Sequence, residues 1–173
     1  MTRTFNTSFR ADFESPRAQN PILVFLTLSH PSWATPIWVV NDVVNYTWNG
    51  HVYIGFPFNM EYLADDEKVP RGQLTIQNVD RVLGQEILNL VYGPYLEIDV
   101  LSAADWTSTI DATSNSRLPL GTPTLELSAQ NLQLWDVTVT STTIVASFGP
   151  PDTTRELWPK SRCTKANTPG LFR

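Results

Sequence analysis

Hydrophobic positions along the chain recur mostly at every second residue. The runs are short and are bounded by Gly, Pro, Asn and Asp, the mark of β-strands joined by turns. One stretch keeps a helical period instead. Phe5, Phe9 and Phe13 stand four residues apart between Thr4 and Arg17, which puts three rings on one helical face before Pro16 closes it. Residues 22–29 are β-branched and aromatic and predict a central strand. Pro31 and Pro36 bracket a loop carrying Trp33. Residues 37–40, the pair Asn41 and Asp42, and residues 43–46 read as strand, turn and strand. Residues 46–48, Asn49-Gly50 and residues 51–54 predict a hairpin on a two-residue turn, because asparagine and glycine tolerate positive φ at both central positions. Trp48 and Tyr53 are sized to meet across that ladder.

Residues 55–57 then break the strand. Residues 58–63 alternate loosely and lead into an acidic run over residues 64–68, expected as an exposed loop. Residues 72–77 alternate polar and apolar, Asp80 is a good N-cap, and residues 81–91 carry a helical period that Gly93-Pro94 stops. Residues 96–101 are a further strand. Residues 102–122 are rich in Ser, Thr, Asn and Asp with little periodicity and predict a long loop. Residues 124–129, 132–140 and 142–148 complete the strands, and Gly149–Pro151 end them. The pattern predicts a mainly β protein, a β-barrel or β-sandwich of about nine strands with one or two short α-helices and extended termini. It divides into an N-terminal helical or extended segment over residues 1–20, a β-rich domain over 21–150 and a basic extended C-terminal arm over 151–173.

Charge sharpens that division. The formal net charge is −5. Residues 1–17 sum to +1, residues 18–154 to −10 and residues 155–173 to +4. An acidic body is a poor reader of nucleic acid. The basic arm, marked by Pro159 and Pro169, reads as a segment that docks on an acidic neighbour, with Trp158, Leu171 and Phe172 as apolar anchors and Arg162 among its charges. Together with Phe5, Phe9 and Phe13 these are the candidate subunit-interface residues.

Chemistry is sparse. A single cysteine, Cys163, excludes a disulfide framework and an all-cysteine metal site. The two histidines, His30 and His51, stand near no Gly-x-Ser-x-Gly elbow, and no glycine-rich phosphate loop is present. Asp65, Asp66 and Glu67 are adjacent acids without the alternating spacing of a calcium loop. The expectation is a protein that is not an enzyme, with no catalytic, cofactor-binding or metal-binding residues. The longest apolar run, residues 21–28, is too short to cross a bilayer, and no signal-peptide pattern opens the chain, so no membrane insertion and synthesis in the cytoplasm are expected. Of six tryptophans, Trp38 and Trp48 fall in strand patterns, and Trp135 lies in the strand expected over residues 132–140. Trp33, Trp106 and Trp158 fall in loops or the arm, where tryptophan marks interaction surfaces. Exposed tryptophans on a β body support an alternative reading, a carbohydrate-binding module recognising host-surface glycans.

The order of elements carries a resemblance. A helical start leads into residues 22–28, then into the motif of residues 49–53 (Asn-Gly-His-Val-Tyr) and the break at 55–57. The strand of residues 72–78 ends in asparagine before a helix, the strand at 96–101 follows, and residues 157–163 lead to Cys163. In this order the chain resembles long-tailed bacteriophage tail-tip hub proteins, namely the N-terminal part of the lambda-type minor tail protein L and gene transfer agent hub components. The resemblance implies a structural, hub or baseplate-like ring subunit of the virion tail tip, joining the tail tube to a central spike or fibre protein. It implies a homo-oligomer, with a trimer favoured over a hexamer, and a distal tail protein as a further neighbour. DNA would be met only as passing cargo. Longer relatives continue into a cysteine-rich segment resembling an iron–sulfur site, which one cysteine cannot supply, so no cofactor is expected. A ring around a DNA channel gains from acidic lining, and Asp65, Asp66, Glu67 and Asp111 are the candidate channel-lining residues.

Overall fold

The structure is a computed structural model that describes residues 7–15, 20–61, 71–77, 85, 87, 89–90 and 93–151. It opens with helix α1 (Thr7–Glu14). There follow β1 (Ile22–Ser29), β2 (Ile37–Val40), β3 (Asn45–Trp48), β4 (His51–Gly55), β5 (Phe58–Glu61) and β6 (Gly72–Gln77). After them come β7 (Tyr95–Ser102), a 3-10 turn (Ala103–Asp105), β8 (Trp106–Asp111), β9 (Ser116–Pro119), β10 (Leu127–Val139) and β11 (Thr143–Gly149). The protein is mainly β, as its alternating pattern predicts. Of the helix expected over residues 81–91, Gln85 and Ile87 are described and helical.

The strands form one 11-stranded sheet in the order β5-β6-β11-β10-β7-β1-β2-β4-β3-β9-β8. It is open and does not close into a barrel, which corrects one of the two architectures expected from the sequence. Most neighbours are antiparallel; β2 with β4 and β3 with β9 are parallel. Strand β1 is the middle of the protein and is buried on both faces, which explains its continuous apolar sequence. Val24, Leu26 and Leu28 join Leu96, Ile98, Val100, Ile144, Phe148 and Phe9 in the larger core. Leu23 and Phe25 face the other way, into a smaller core with Val40, Tyr46, Tyr53, Leu101 and Trp106. Alternation along one strand therefore divides the side chains between two hydrophobic centres.

Turn chemistry fixes the register of the second half. Asn49 and Gly50 both have positive φ, 50° and 81°, so β3 and β4 meet on the type I′ turn their sequence predicts, with Trp48 opposite His51 and Tyr46 opposite Tyr53. Asn41 extends the sheet where β2 ends: its side-chain Oδ1 accepts from the Val24 N–H at 2.7 Å, and its own N–H donates to Val24 O at 3.2 Å. Gly55 sits so close to Val44 that an added Cβ would lie 2.6 Å from the Val44 carbonyl oxygen.

Two expectations change. Residues 102–122 hold the 3-10 turn and the β8–β9 hairpin rather than a long loop. The strands expected at 124–129 and 132–140 are one strand, β10, whose register slips between Ala129 and Leu132 and again between Trp135 and Thr138. Asn131 and Asp136 lie at those slips with φ of 57° and 51°. Asparagine and aspartate are the non-glycine residues that enter this region most readily, so each bulge forms without breaking the strand.

Candidate functional site

The polar side chains that converge most closely lie where β3 meets β9. The Tyr46 hydroxyl donates to Asp42 Oδ2 at 2.6 Å and accepts from Arg117 Nη1 at 3.0 Å. Burial, followed by the hydrogen bond to Asp42, pushes the Tyr46 phenol up to about 12, so it is a neutral donor at physiological pH. Behind it the rings of Phe25, Tyr46, Tyr53 and Trp106 meet at centroid separations of 4.9 to 6.1 Å. The Trp106 indole N–H donates to Thr47 O at 3.1 Å. A chain of hydroxyls runs alongside: Thr47 Oγ1 and Ser116 Oγ lie 2.7 Å apart, and the Ser116 hydroxyl donates to Ser114 Oγ at 2.8 Å. Ser114 Oγ donates in turn to Asp111 Oδ2 at 2.9 Å. The hydroxyls and carboxylates here are taken up by other protein groups, while Arg117 Nε is buried without a hydrogen-bond partner. The cluster is a clamp that fixes the β8–β9 hairpin to β3, and among the described residues it presents no nucleophile–base pair.

What the same strands present outward is different. On β4, Val52 and Ile54 point away from Tyr53 and are exposed, Ile54 by 55%. Val52 pairs with Thr47 on β3, and the β3–β9 register carries the row on to exposed Leu118. Leu120 and Val43, exposed by 63% and 79%, flank it. Isolated exposed apolar residues need no explanation, but Val52 and Ile54 on β4 and Leu118 on β9, with Thr47 of β3 between them, make a patch suited to being covered. The neighbouring edge is less suited to strand pairing. Strand β8 slips register against β9 between Trp106 and Ile110, and the Thr107 hydroxyl donates to Thr109 O at 3.0 Å, so the edge bulges out of the plane of pairing.

The residues singled out from sequence distribute as follows. Phe9 is buried in the chain's own larger core and stacks on Phe13 with ring centroids 6.4 Å apart, while Phe13 stays exposed. Of that pair, Phe13 alone remains available to a neighbour. Phe5, Trp158, Arg162, Leu171 and Phe172 lie outside the described residues, as do Asp65, Asp66 and Glu67. Asp111 closes the β8–β9 turn: its Oδ2 accepts from the N–H groups of Thr113 and Ser114 at 3.1 and 2.8 Å. These bonds, Ser114's first, hold its carboxyl below the usual carboxylate range. Trp106, expected in a loop, starts β8 and is buried. Trp38 is covered by His51, stacked at 4.3 Å, and Arg71 lies 5.7 Å from the Trp135 ring centroid. Among the described residues no group of three or more His, Cys, Asp or Glu side chains is placed to hold a metal ion. No described helix is long and apolar enough to cross a membrane.

Sequence reasoning missed the row on β4 and β9. Alternation does show it in retrospect: Val52 and Ile54 bracket buried Tyr53, so a strand apolar on both faces has one face that no described residue buries.

Comparison with protein families gives one match. A family described as a domain of unknown function, DUF1833, matches residues 8–163, which spans the whole described sheet. A search of curated proteins finds no match.

Proposed function

The chain belongs to the DUF1833 family, and from that premise we propose that it is a structural subunit of a bacteriophage tail tip, a hub or baseplate-like ring component joining the tail tube to the central spike or fibre protein. The observation that carries the reading is the outward apolar row of Val52, Ile54 and Leu118 on an open sheet whose adjacent edge is bulged. Such a surface is stable in water only at a cost, and a ring of identical subunits covers it at each repeat. The clamp, with Tyr46 and Arg117 on the opposite face and Thr47 and Ser116 on the same one, supports the same role. Asp42, Tyr46, Arg117, Thr47 and Ser116 fix the β8–β9 hairpin to β3, so the face reaches a partner already shaped. The resemblance of the element order to lambda-type hub proteins supplies the setting, and the acidic body suits a ring through which DNA slides.

The glycan reading has weaker support. The described tryptophans are packed against the cores or covered by His51 and Arg71, so none of them is the exposed tryptophan that stacking of a sugar ring was expected to use.

The experiment is an electron-microscopy map of intact tails, paired with the double variant Val52→Lys/Ile54→Lys. The reading expects this chain in a ring at the tail tip. It also expects a variant that keeps the wild-type melting temperature as an isolated subunit yet fails to enter tails. A map without the chain at the tip, or a variant that assembles normal tails, rejects it.

A further inference from the structure

The loop between β1 and β2 holds a serine hydroxyl against an imidazole. Residues 30–33 (His-Pro-Ser-Trp) form a β-turn, closed by the Trp33 N–H donating to His30 O at 3.0 Å. Pro31 suits the second position of such a turn because its ring fixes φ there. His30 Nδ1 accepts from the Ser32 N–H at 3.1 Å and lies 2.6 Å from Ser32 Oγ. Together these contacts give the direction of the second one. A main-chain N–H can only donate, so Nδ1 is an acceptor and the ring proton sits on Nε2. The Ser32 hydroxyl therefore donates to Nδ1, over a short distance.

The two side chains differ in their access to water. His30 is buried, 9% exposed, whereas Ser32 is exposed. The Trp33 ring lies 6.0 Å from the imidazole, tilted by 58°, and packs against the larger core, which holds the imidazole in place. A turn cap requires only the contact from the N–H, and asparagine or aspartate at the first position supplies that as well. The contact with the hydroxyl is additional. A hydroxyl donating to an imidazole that a further donor orients is the pairing that activates a serine as a nucleophile.

We infer that Ser32 is an acyl-acceptor site, with His30 as its base, for activated acyl donors such as aryl esters and thioesters. Ser32 Oγ bonds to the acyl carbon while its proton passes to His30 Nδ1. The bond from that carbon to the leaving oxygen or sulfur breaks, and the leaving group takes the electron pair. The proton then moves from Nδ1 to the leaving group, which restores the acceptor that the Ser32 N–H needs. The product is an acyl ester on an exposed loop. The assignment goes beyond the tail-tip reading and stands without it.

Treating the full chain with p-nitrophenyl acetate and locating acetyl groups by peptide mass spectrometry tests it. Ser32 should be acetylated at least about a hundredfold faster than Ser141, an exposed serine between β10 and β11, the scale of assistance from a general base. His30→Asn should keep the turn, because asparagine accepts the same N–H, yet lose that advantage. Ser32→Ala should lose the adduct and leave acetylation of Ser141 unchanged. A smaller ratio of Ser32 to Ser141 in the wild type overturns the assignment, whatever the variants do. So does a His30→Asn variant that acetylates Ser32 at the wild-type rate, because His30 would then be a turn cap only.

Discussion

Arg117 on β9 donates a hydrogen bond to the Tyr46 hydroxyl on β3 at 3.0 Å while its guanidinium carbon lies 5.6 Å from the centroid of the same ring. One cation thus holds both the polar tip and the aromatic body of a fully buried tyrosine, and it does so across a parallel pairing of only two registered residues. The pairing alone is short, and the side chains make up the difference.

That arrangement predicts alkaline sensitivity. Tyr46 in the folded protein titrates at about 12, against an ordinary value of 10.0. The stabilisation from keeping the phenol protonated is therefore complete below pH 10 and is lost as the pH climbs from 10 to 12. Urea midpoints measured across that range should fall for the wild type and fall less for Tyr46→Phe. At neutral pH the phenylalanine variant should be less stable by about 1 kcal/mol, the order of one net hydrogen bond.

Gly50 is required by its φ of 81° and not by space, since nothing lies within 4 Å of where its Cβ would be. Valine there should lower stability by roughly 1–3 kcal/mol through backbone strain alone. Alanine should cost less than valine, because a β-branched side chain resists positive φ more strongly. Calorimetric melting temperatures of the two variants check the ranking, and an unchanged midpoint for Gly50→Val would contradict the turn type.

Asp111 gives the opposite pH response to Tyr46. Its carboxyl titrates below the usual 3.8 because Ser114 and Thr113 donate to it. Its stabilising effect is present above that value and is lost as the pH falls through the lowered one. Asp111→Asn should flatten the acid limb of the stability profile by lowering the neutral plateau toward the acid value. Circular dichroism melts between pH 2 and pH 7 read this directly.

The acidic run Asp65, Asp66 and Glu67 is proposed to line the tail channel. Replacing all three by lysine should leave tails assembled but slow the ejection of DNA, and added salt should restore the rate because screening weakens the new attraction. Ejection followed by light scattering at low and high salt separates this from an acidic loop that only keeps the subunit soluble.

Strands with one buried face or two were legible in the sequence, because burial imposes a pattern. The continuous apolar β1, the Asn49-Gly50 hairpin, β6 and the alternating β7 are of this kind. The β8–β9 hairpin was hidden because it lies at the sheet edge: between buried Trp106 and buried Ser116 its residues are half-buried or exposed, and Ser and Thr there serve a strand as readily as a loop. β10 was divided in two for a different reason. Gln130 and Asn131 carry the composition of a turn, and only the bulge shows that the strand passes through it. The clamp was beyond reach of pattern reasoning, since Asp42 and Arg117 are distant in sequence and meet only through the parallel β3–β9 pairing.

The central position of β1 has a consequence for how the chain is made. Its longest pairing is with β7, from Ile22 opposite Ser102 to Ser29 opposite Tyr95. A ribosome must therefore finish the first hundred or so residues before the middle of the sheet can close, and contacts so distant in sequence slow folding. Until then the nascent segment ILVFLTLS has only the four residues of β2 to cover one edge, and both its faces are apolar. Such a segment invites association between unfinished chains. Slower translation should prolong this interval, and yield of soluble protein should rise when a chaperone that binds short apolar segments is supplied in excess during synthesis.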